Sequence, residues 1–138
     1  MPTSADLLLD TSAAIWLMLT GHEHHDAVIA RAEGLVLGLS GHASVETYSV
    51  LTRLPGEQRL RASTARQIIK ANFPATVALP GDDALSAVDV LAEAGIAGGA
   101  VYDGLIGLAA RAAGIRLLTC DRRALPTYAA LSVDVQLV

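Results

Sequence analysis

The stretch Leu7-Leu8-Leu9-Asp10-Thr11-Ser12-Ala13 decides the fold class of this chain. Its three consecutive leucines form a short, wholly apolar run, which is typical of a strand buried on both faces of a parallel sheet. A helical pattern from Ser12 to Leu19 follows immediately. A buried strand that leads directly into a helix indicates an α/β protein, in which ligands bind beyond the carboxyl ends of the strands.

The rest of the chain repeats this alternation of short apolar runs and helical patterns. The alternation predicts a mostly parallel sheet with helices on both faces, in a single domain that spans residues 1–138. Further strands are predicted at Leu35–Leu39, Thr76–Leu79, Arg116–Thr119 and Val133–Leu137. Further helices are predicted at His25–Glu33, at Ala43–Leu54, from an N-cap at Ser63 to Asn72, from a cap at Asp82 or Asp83 to Ala94, and at Val101–Ala113. In the helix that ends at Ala94, the shared apolar face comprises Leu85, Val88, Leu91 and Ala92.

The composition is that of a folded domain with more apolar side chains than one small core can bury. Of the 138 residues, 52% are hydrophobic and 17% are charged, and the net charge is −4. We therefore expect self-association or a protein partner. No apolar run approaches the ~18 residues that span a bilayer, and the residues before Leu7 lack the basic side chain of a secretory signal, so the cytoplasm is the expected compartment. The single Cys120 excludes an internal disulfide and a multi-cysteine zinc site.

Four acidic side chains fall at positions that such a fold would bring together. Asp10 and Asp121 each follow an apolar run, Asp103 lies in the first turn of a helix, and Glu46 lies early in another helix, next to Val45, which we expect to face the core. Taken singly, each has an ordinary structural explanation as a turn cap, a partner of a helix dipole or a solvated residue. Taken together, crowded carboxylates repel one another and titrate upward unless a cation joins them. Oxygen ligands suit a hard divalent ion such as Mg²⁺, which can activate water and stabilise charge on a phosphodiester.

The residues around these acids resemble the four acidic blocks of PIN domains, most closely those of the VapC-type toxins of bacterial toxin–antitoxin pairs. The chain length, the order of the blocks and their spacing match over essentially the whole chain. The blocks are Leu8-Leu9-Asp10-Thr11-Ser12-Ala13, Ala43-Ser44-Val45-Glu46, Tyr102-Asp103-Gly104-Leu105-Ile106 and Leu118-Thr119-Cys120-Asp121-Arg122-Arg123.

The resemblance implies a PIN-like three-layer α/β/α sandwich with Mg²⁺- or Mn²⁺-dependent endoribonuclease activity. It also implies a homodimer that a cognate VapB-type antitoxin inhibits. Ser12 would support the site by hydrogen bonding, and Thr119 matches a threonine often found two residues before the last acid. The segment from about Pro55 to Leu79 matches no motif, so substrate choice is not implied. The quartet that would bind the metal and carry out catalysis comprises Asp10, Glu46, Asp103 and Asp121.

Basic residues provide candidate contacts to RNA phosphates. Five of the ten lie between Arg53 and Lys70, and Arg122 and Arg123 directly follow Asp121. This pattern is compatible either with an RNA groove that leads to the acids or with a solvated helical face. The low total charge predicts a modest, salt-sensitive affinity for RNA. The candidate RNA-binding residues are Arg53, Arg59, Arg61, Arg66, Arg122 and Arg123.

Base stacking on RNA would require exposed aromatic side chains. Trp16 is expected in the core or at a dimer surface, because it lies at helical spacing among apolar residues. Tyr48 and Tyr102 are expected in the core, so no aromatic residue is assigned to RNA.

The cluster of His22, His24 and His25 is interpreted as a polar, solvent-facing turn before a helix, with a transition-metal site as the alternative. His42, at a helix start, has no assigned partner. Cys120 is expected to be a small core residue, because no activating base can be placed beside it.

Three other functions fit parts of the pattern. A haloacid-dehalogenase-like phosphatase also begins with a strand and a nucleophilic aspartate, but it carries a second acid where this chain has Ser12, and it needs a downstream phosphate-binding lysine, where Lys70 is the only lysine. A non-catalytic binding module on the same fold would leave RNA uncut. A housekeeping RNA-processing nuclease would share the chemistry without the antitoxin.

Overall fold

The leucine run at the N-terminal end of the chain forms an inner strand of a four-stranded parallel sheet. The computed structural model describes residues 4–21 and 23–138. The sheet has the order β2-β1-β3-β4, in which Leu8 of β1 lies opposite Gly38 of β2 and Leu117 of β3. The four strands are β1 (Leu7–Leu9), β2 (Leu37–Leu39), β3 (Leu117–Thr119) and β4 (Val135–Leu137).

Two groups of helices accompany this sheet, as predicted for a three-layer α/β/α sandwich. Within the described residues, α1 contacts both α2 and α3, and α3 contacts α4. On their side, α5 and α7 both contact α6. In that same part of the chain, no helix is both long and apolar enough to cross a membrane. The helices are α1 (Thr11–Met18), α2 (His25–Ala32), α3 (Ala43–Thr52), α4 (Ala62–Asn72), α5 (Gly81–Glu93), α6 (Ala100–Ala113) and α7 (Leu125–Ala130), with short 3₁₀ turns at Gly56–Gln58 and Arg122–Ala124.

The predicted strand at Thr76–Leu79 is wrong. This segment runs beside β2, but it forms only one isolated parallel bridge, between Ser40 and Val77. The ladder is interrupted because the Leu39 amide donates to the side-chain Oγ1 of Thr76, at 3.0 Å, rather than to a main-chain carbonyl. The three other strands predicted after β1 are present but shorter than expected.

Two predicted helix caps are also wrong, and one helix was not predicted. The N-cap of α4 is Arg61, so Ser63 lies inside the first turn. The N-cap of α5 is Pro80, which places Asp82 and Asp83 in the first turn of that helix. The unpredicted helix is α7, which has a proline in its first turn, where the missing amide hydrogen is not needed.

The apolar face predicted for α5 is confirmed at Leu91 and wrong at Leu85, Val88 and Ala92. Leu85 and Val88 are 87% and 77% exposed, whereas Ala87 and Leu91 are buried. The buried pair is selected by contact with α6, where Gly104 lets the Leu91 side chain approach: a Cβ atom on Gly104 would lie 2.5 Å from Leu91 Cδ2. Packing against a glycine therefore decides which side of α5 is covered.

Three side chains expected in the core are exposed instead. Val45 is 60% exposed, Tyr48 40% and Tyr102 54%. In α3 the buried residues are Ala43, Thr47 and Leu51, at the four-residue spacing of one helix face, so Val45 and Tyr48 fall outside that face.

Candidate active site

Asp10 stands where β1 ends and α1 begins, and its carboxylate is buried. It is the N-cap of α1, and its Oδ1 accepts hydrogen bonds from Ser12 Oγ at 2.7 Å and from the Ala13 amide at 3.1 Å. Its Oδ2 accepts from the hydroxyl of Tyr128 at 2.8 Å. Burial raises the pKa of Asp10, and these hydrogen bonds oppose that rise. Both oxygens are thus held in fixed directions by donors.

Ser12 and Thr119 connect the ends of two neighbouring strands, β1 and β3. The Ser12 hydroxyl accepts from the Cys120 amide at 2.9 Å and lies 3.4 Å from Thr119 Oγ1. Thr119 Oγ1 in turn accepts from the Asp121 amide at 3.1 Å. These two hydroxyls therefore hold the backbone that carries Asp121 against the backbone that carries Asp10.

Glu46 extends from α3 toward the first turn of α1. The hydroxyl of Thr11 donates to Glu46 Oε2 at 2.7 Å, and His42 Nε2, one turn earlier in α3, lies 3.5 Å from Glu46 Oε1. The side chain of Glu46 is 32% exposed. Because Thr11 directly follows Asp10, this hydrogen bond brings α3 to the same edge of the sheet.

Asp103 shows that the four carboxylates share one electrostatic environment. It is half-buried in the first turn of α6, and its pKa is raised to about 6, first by burial and then by the charges of Asp10, Asp121 and Glu46. Arg123 opposes this rise. The fold therefore brings together the four acids that the sequence singles out.

Asp121 lies beside an arginine, Arg123. Its Oδ1 accepts from the Arg123 amide at 3.0 Å and lies 3.5 Å from Arg123 Nε. Asp121 thus caps the 3₁₀ turn after β3, which is the ordinary structural role considered for it above. Its charge also raises the pKa of Asp103.

The donor set fits a hard divalent cation bound partly through water. Carboxylate and hydroxyl oxygens are the ligands that Mg²⁺ prefers, and the repulsion at Asp103 is what a cation would relieve. Among residues 4–21 and 23–138, no three His, Cys, Asp or Glu side chains are grouped closely enough to hold an ion directly. Mg²⁺ usually takes one or two carboxylates and keeps several waters, so this spacing suits such a site better than a cage of four protein ligands.

Tyr128 is the site residue that the sequence did not reveal. It lies on α7, is fully buried, and donates its hydroxyl to Asp10. Burial, then the charge of Asp10, raises the pKa of Tyr128 far above its usual value, so the hydroxyl stays protonated and remains a donor. Its helix was not predicted, and a tyrosine among alanines carries no signal of a polar contact.

The candidate RNA-binding arginines are exposed, but they lie in two separate places. Arg122 and Arg123 follow Asp121 at the site. In the part of the chain that the structure describes, the hydrogen bonds and ion pairs of the other four reach none of the four carboxylates. Arg66 lines a cavity of about 570 Å³ between α3 and α4, together with Lys70, Tyr48 and Phe73.

His24 and His25 both contact Trp16, and Cys120 has the protonation state of an unreactive thiol. His24 stacks on Trp16 with ring centroids 4.1 Å apart, and His25 Nδ1 lies 2.9 Å from the Trp16 carbonyl oxygen, while His22 lies outside the described residues. Burial, then the charge of Asp10, raises the pKa of the half-buried Cys120 thiol to about 12, which keeps it protonated.

Comparisons with known proteins agree with the geometry. Residues 7–131 match the model of the PIN domain. The chain is 44% identical over 133 residues to "Ribonuclease VapC40" of Mycobacterium tuberculosis (strain CDC 1551 / Oshkosh), which covers 94% of this chain and 96% of that protein. It is 43% identical over 129 residues to "Ribonuclease VapC27" of M. tuberculosis (strain ATCC 25618 / H37Rv), covering 94% of each. A solved structure of VapBC2 from Rickettsia felis, bound to a DNA fragment from their promoter, is similar in fold, with a TM-score of 0.68, 12% identity, and coverage of 96% of this chain and 98% of that one.

Proposed function

Because the chain belongs to the PIN-domain family, as its four acidic blocks predict, we propose that it is a VapC-type endoribonuclease toxin that hydrolyses RNA phosphodiester bonds. The observation that carries this proposal is the approach of four carboxylates on separate elements: burial, and then the charges of Asp10, Asp121 and Glu46, raise the pKa of Asp103 to about 6. Such repulsion opposes folding, and it is typical of a site that is built to hold a cation.

The catalytic and metal-binding roles are assigned to the predicted quartet of Asp10, Glu46, Asp103 and Asp121. A bound Mg²⁺ or Mn²⁺ would supply a Lewis acid that neutralises charge on the scissile phosphate and makes a bound water more acidic. The other residues of the chain prepare the acids for this role. Tyr128, Ser12 and the Ala13 amide fix the two oxygens of Asp10, and Thr11 orients Glu46. The donors to Asp10 favour the ionised form of that carboxylate.

Arg122 and Arg123 are proposed to attract the RNA backbone beside the acids. They are exposed and immediately follow Asp121, so their charges offset the repulsion between the carboxylates and a polyanion. RNA binding by Arg53, Arg59, Arg61 and Arg66 stays a prediction. These residues lie around α4, away from the four carboxylates.

The catalytic proposal is tested with purified protein and a mixed single-stranded RNA. We expect cleavage with Mg²⁺ or Mn²⁺ and none with EDTA. Asp10→Asn and Asp121→Asn should each lower the rate at least about 100-fold, since each removes an anionic ligand from the reacting centre. Asp89→Asn, on the exposed side of α5, is the matched control and should cut like the wild type. Wild-type rates in EDTA or in Asp10→Asn would overturn the proposal and favour a different chemistry or a non-catalytic module.

We further propose a VapB-type antitoxin and a second copy of this chain as partners. The relatives are named VapC, and the solved VapBC2 pair from R. felis has this fold. Leu85 and Val88 add exposed apolar surface that a partner would cover. Co-expression with the product of a small neighbouring gene tests the first partner: inhibition of RNA cleavage is expected, and its absence would favour a housekeeping nuclease. Sedimentation at micromolar concentration tests the dimer, which a constant monomer mass would contradict.

A further inference from the structure

Next to the carboxylates lies an aromatic pair, His42 and Tyr102, of which Tyr102 was expected in the core. The rings of His42 and Tyr102 are stacked, with centroids 5.5 Å apart and planes inclined by 26°. Tyr102 is 54% exposed, so about half of its surface is open to solvent although its ring stacks on His42. We call His42 and Tyr102 the aromatic platform.

The aromatic platform is joined to the acids by the contact between His42 and Glu46. Tyr102 directly precedes Asp103 in α6, and His42 Nε2 lies 3.5 Å from Glu46 Oε1. Glu46 is in turn bound by Thr11, the residue after Asp10. A planar ligand on Tyr102 would therefore lie beside the carboxylates rather than on a distant surface.

The charge around the site limits which forces can hold RNA there. Four carboxylates repel a polyanion and the chain carries a net charge of −4, so Arg122 and Arg123 offset only part of the repulsion and phosphate contacts alone hold RNA weakly here. Stacking of a base on an aromatic ring does not depend on net charge, and every base has a face that can stack. A tyrosine supported by a second ring is a surface of this kind.

We infer that the aromatic platform binds one unpaired base of single-stranded RNA beside the scissile phosphate, with the base stacked on Tyr102 and with His42 holding the Tyr102 ring in position. This inference rests on the proposed ribonuclease function and adds to it a defined contact for one base, made by Tyr102. In a duplex, each base is already stacked between its neighbours and cannot reach a side chain in this way.

The experiment measures binding in EDTA, where RNA stays intact, by fluorescence anisotropy of a labelled single-stranded RNA. Tyr102→Ala should weaken binding about 5- to 150-fold, which is the range for loss of one base–aromatic stack. Tyr102→Phe keeps the ring and should bind like the wild type, and His42→Ala should give an intermediate loss. The slope of affinity against salt should be the same for Tyr102→Ala and the wild type, because stacking releases no counterions, whereas Arg123→Ala should reduce that slope.

A set of RNAs with one abasic nucleotide at successive positions locates the stacked base. At one position, the abasic RNA should bind the wild type as weakly as Tyr102→Ala binds the intact RNA, and the two changes together should cause no further loss. Tyr48 is exposed and lies two residues after Glu46, so it faces another side of α3. The Tyr48→Ala variant should therefore show no such coupling at that position.

Two results would overturn the inference: intact RNA binding by Tyr102→Ala, or a loss in that variant that is the same for every abasic RNA. If the wild type stacks a base but cuts no RNA with any divalent metal, the ribonuclease proposal fails while the aromatic platform stands. If the wild type cuts RNA and Tyr102→Ala cuts equally well at subsaturating RNA, the aromatic platform alone fails.

Discussion

Asp103→Asn should make the metal-free protein more stable at neutral pH. The folded-state pKa of Asp103 is raised from 3.8 to about 6, so the folded protein binds this proton more tightly than the unfolded chain does. The free energy of unfolding therefore falls as the pH rises from about 4 to about 6, and the full deficit persists above that range. Asparagine carries no charge at any of these pH values, and it removes the deficit while keeping the shape of the side chain.

The size of the effect follows from the change in pKa. A rise from 3.8 to about 6 corresponds to about 3 kcal/mol before solvent screening. Because Asp103 is half-buried, water reduces both the cost of its burial and the repulsion by the other acids, and we expect about 1–1.5 kcal/mol. The variant should thus gain this amount at pH 7–8, clearly less at pH 4.5, and nothing below about pH 3.

Urea unfolding in EDTA at several pH values between 4.5 and 8 measures this difference directly. Asp89→Asn removes an exposed aspartate from α5 and serves as the control, for which the pH dependence should match that of the wild type. A gain that is absent at pH 8, or that is equally large at pH 4.5, would refute the electrostatic reasoning.

Three further outcomes are expected. Tyr128→Phe leaves one oxygen of buried Asp10 without its 2.8 Å donor and should cost about 1–3 kcal/mol in urea unfolding. Gly38→Ala would place a Cβ atom 2.1 Å from the Ala75 carbonyl oxygen, and a loss of about 3 kcal/mol or more, seen as a large drop in melting temperature, should follow. Cys120, with a thiol pKa raised to about 12, should react with iodoacetamide at pH 8 far more slowly in the folded protein than in urea.

The sheet and the acidic edge could be predicted from the sequence because each depends on a local pattern. A wholly apolar run such as Leu7–Leu9 has few alternatives to a buried strand, and the residue that follows a parallel strand must lie at its carboxyl end. Asp10 and Asp121 could therefore be placed at one edge, although whole helices separate them along the chain.

The errors concern which face of a helix meets a neighbour, and this is a property of the partner element. Leu85 and Val88 have the spacing of a core face, but α5 turns Leu91 toward Gly104 because a glycine allows the closer approach. Tyr102 was expected in the core on the same grounds of hydrophobicity, and it lies on the surface.

The buried contact between Tyr128 and Asp10 is the clearest case of what a single sequence withholds. The two residues are 118 positions apart, and Tyr128 belongs to a short helix with a proline in its first turn. The pairing arises only after the strands are in register, so a local pattern contains no trace of it.

Asp10 caps α1 with the same oxygen, Oδ1, that accepts a hydrogen bond from Ser12. Some substitutions at this position would therefore remove the helix cap together with the negative charge. Alanine at this position would delete the acceptor for the Ala13 amide, whereas asparagine would retain that acceptor and turn an amide group toward the Tyr128 oxygen. A related protein that has this fold but no nuclease activity would therefore be expected to carry asparagine here. The exchange of one carboxylate oxygen for an amide group would remove the charge and keep the helix cap.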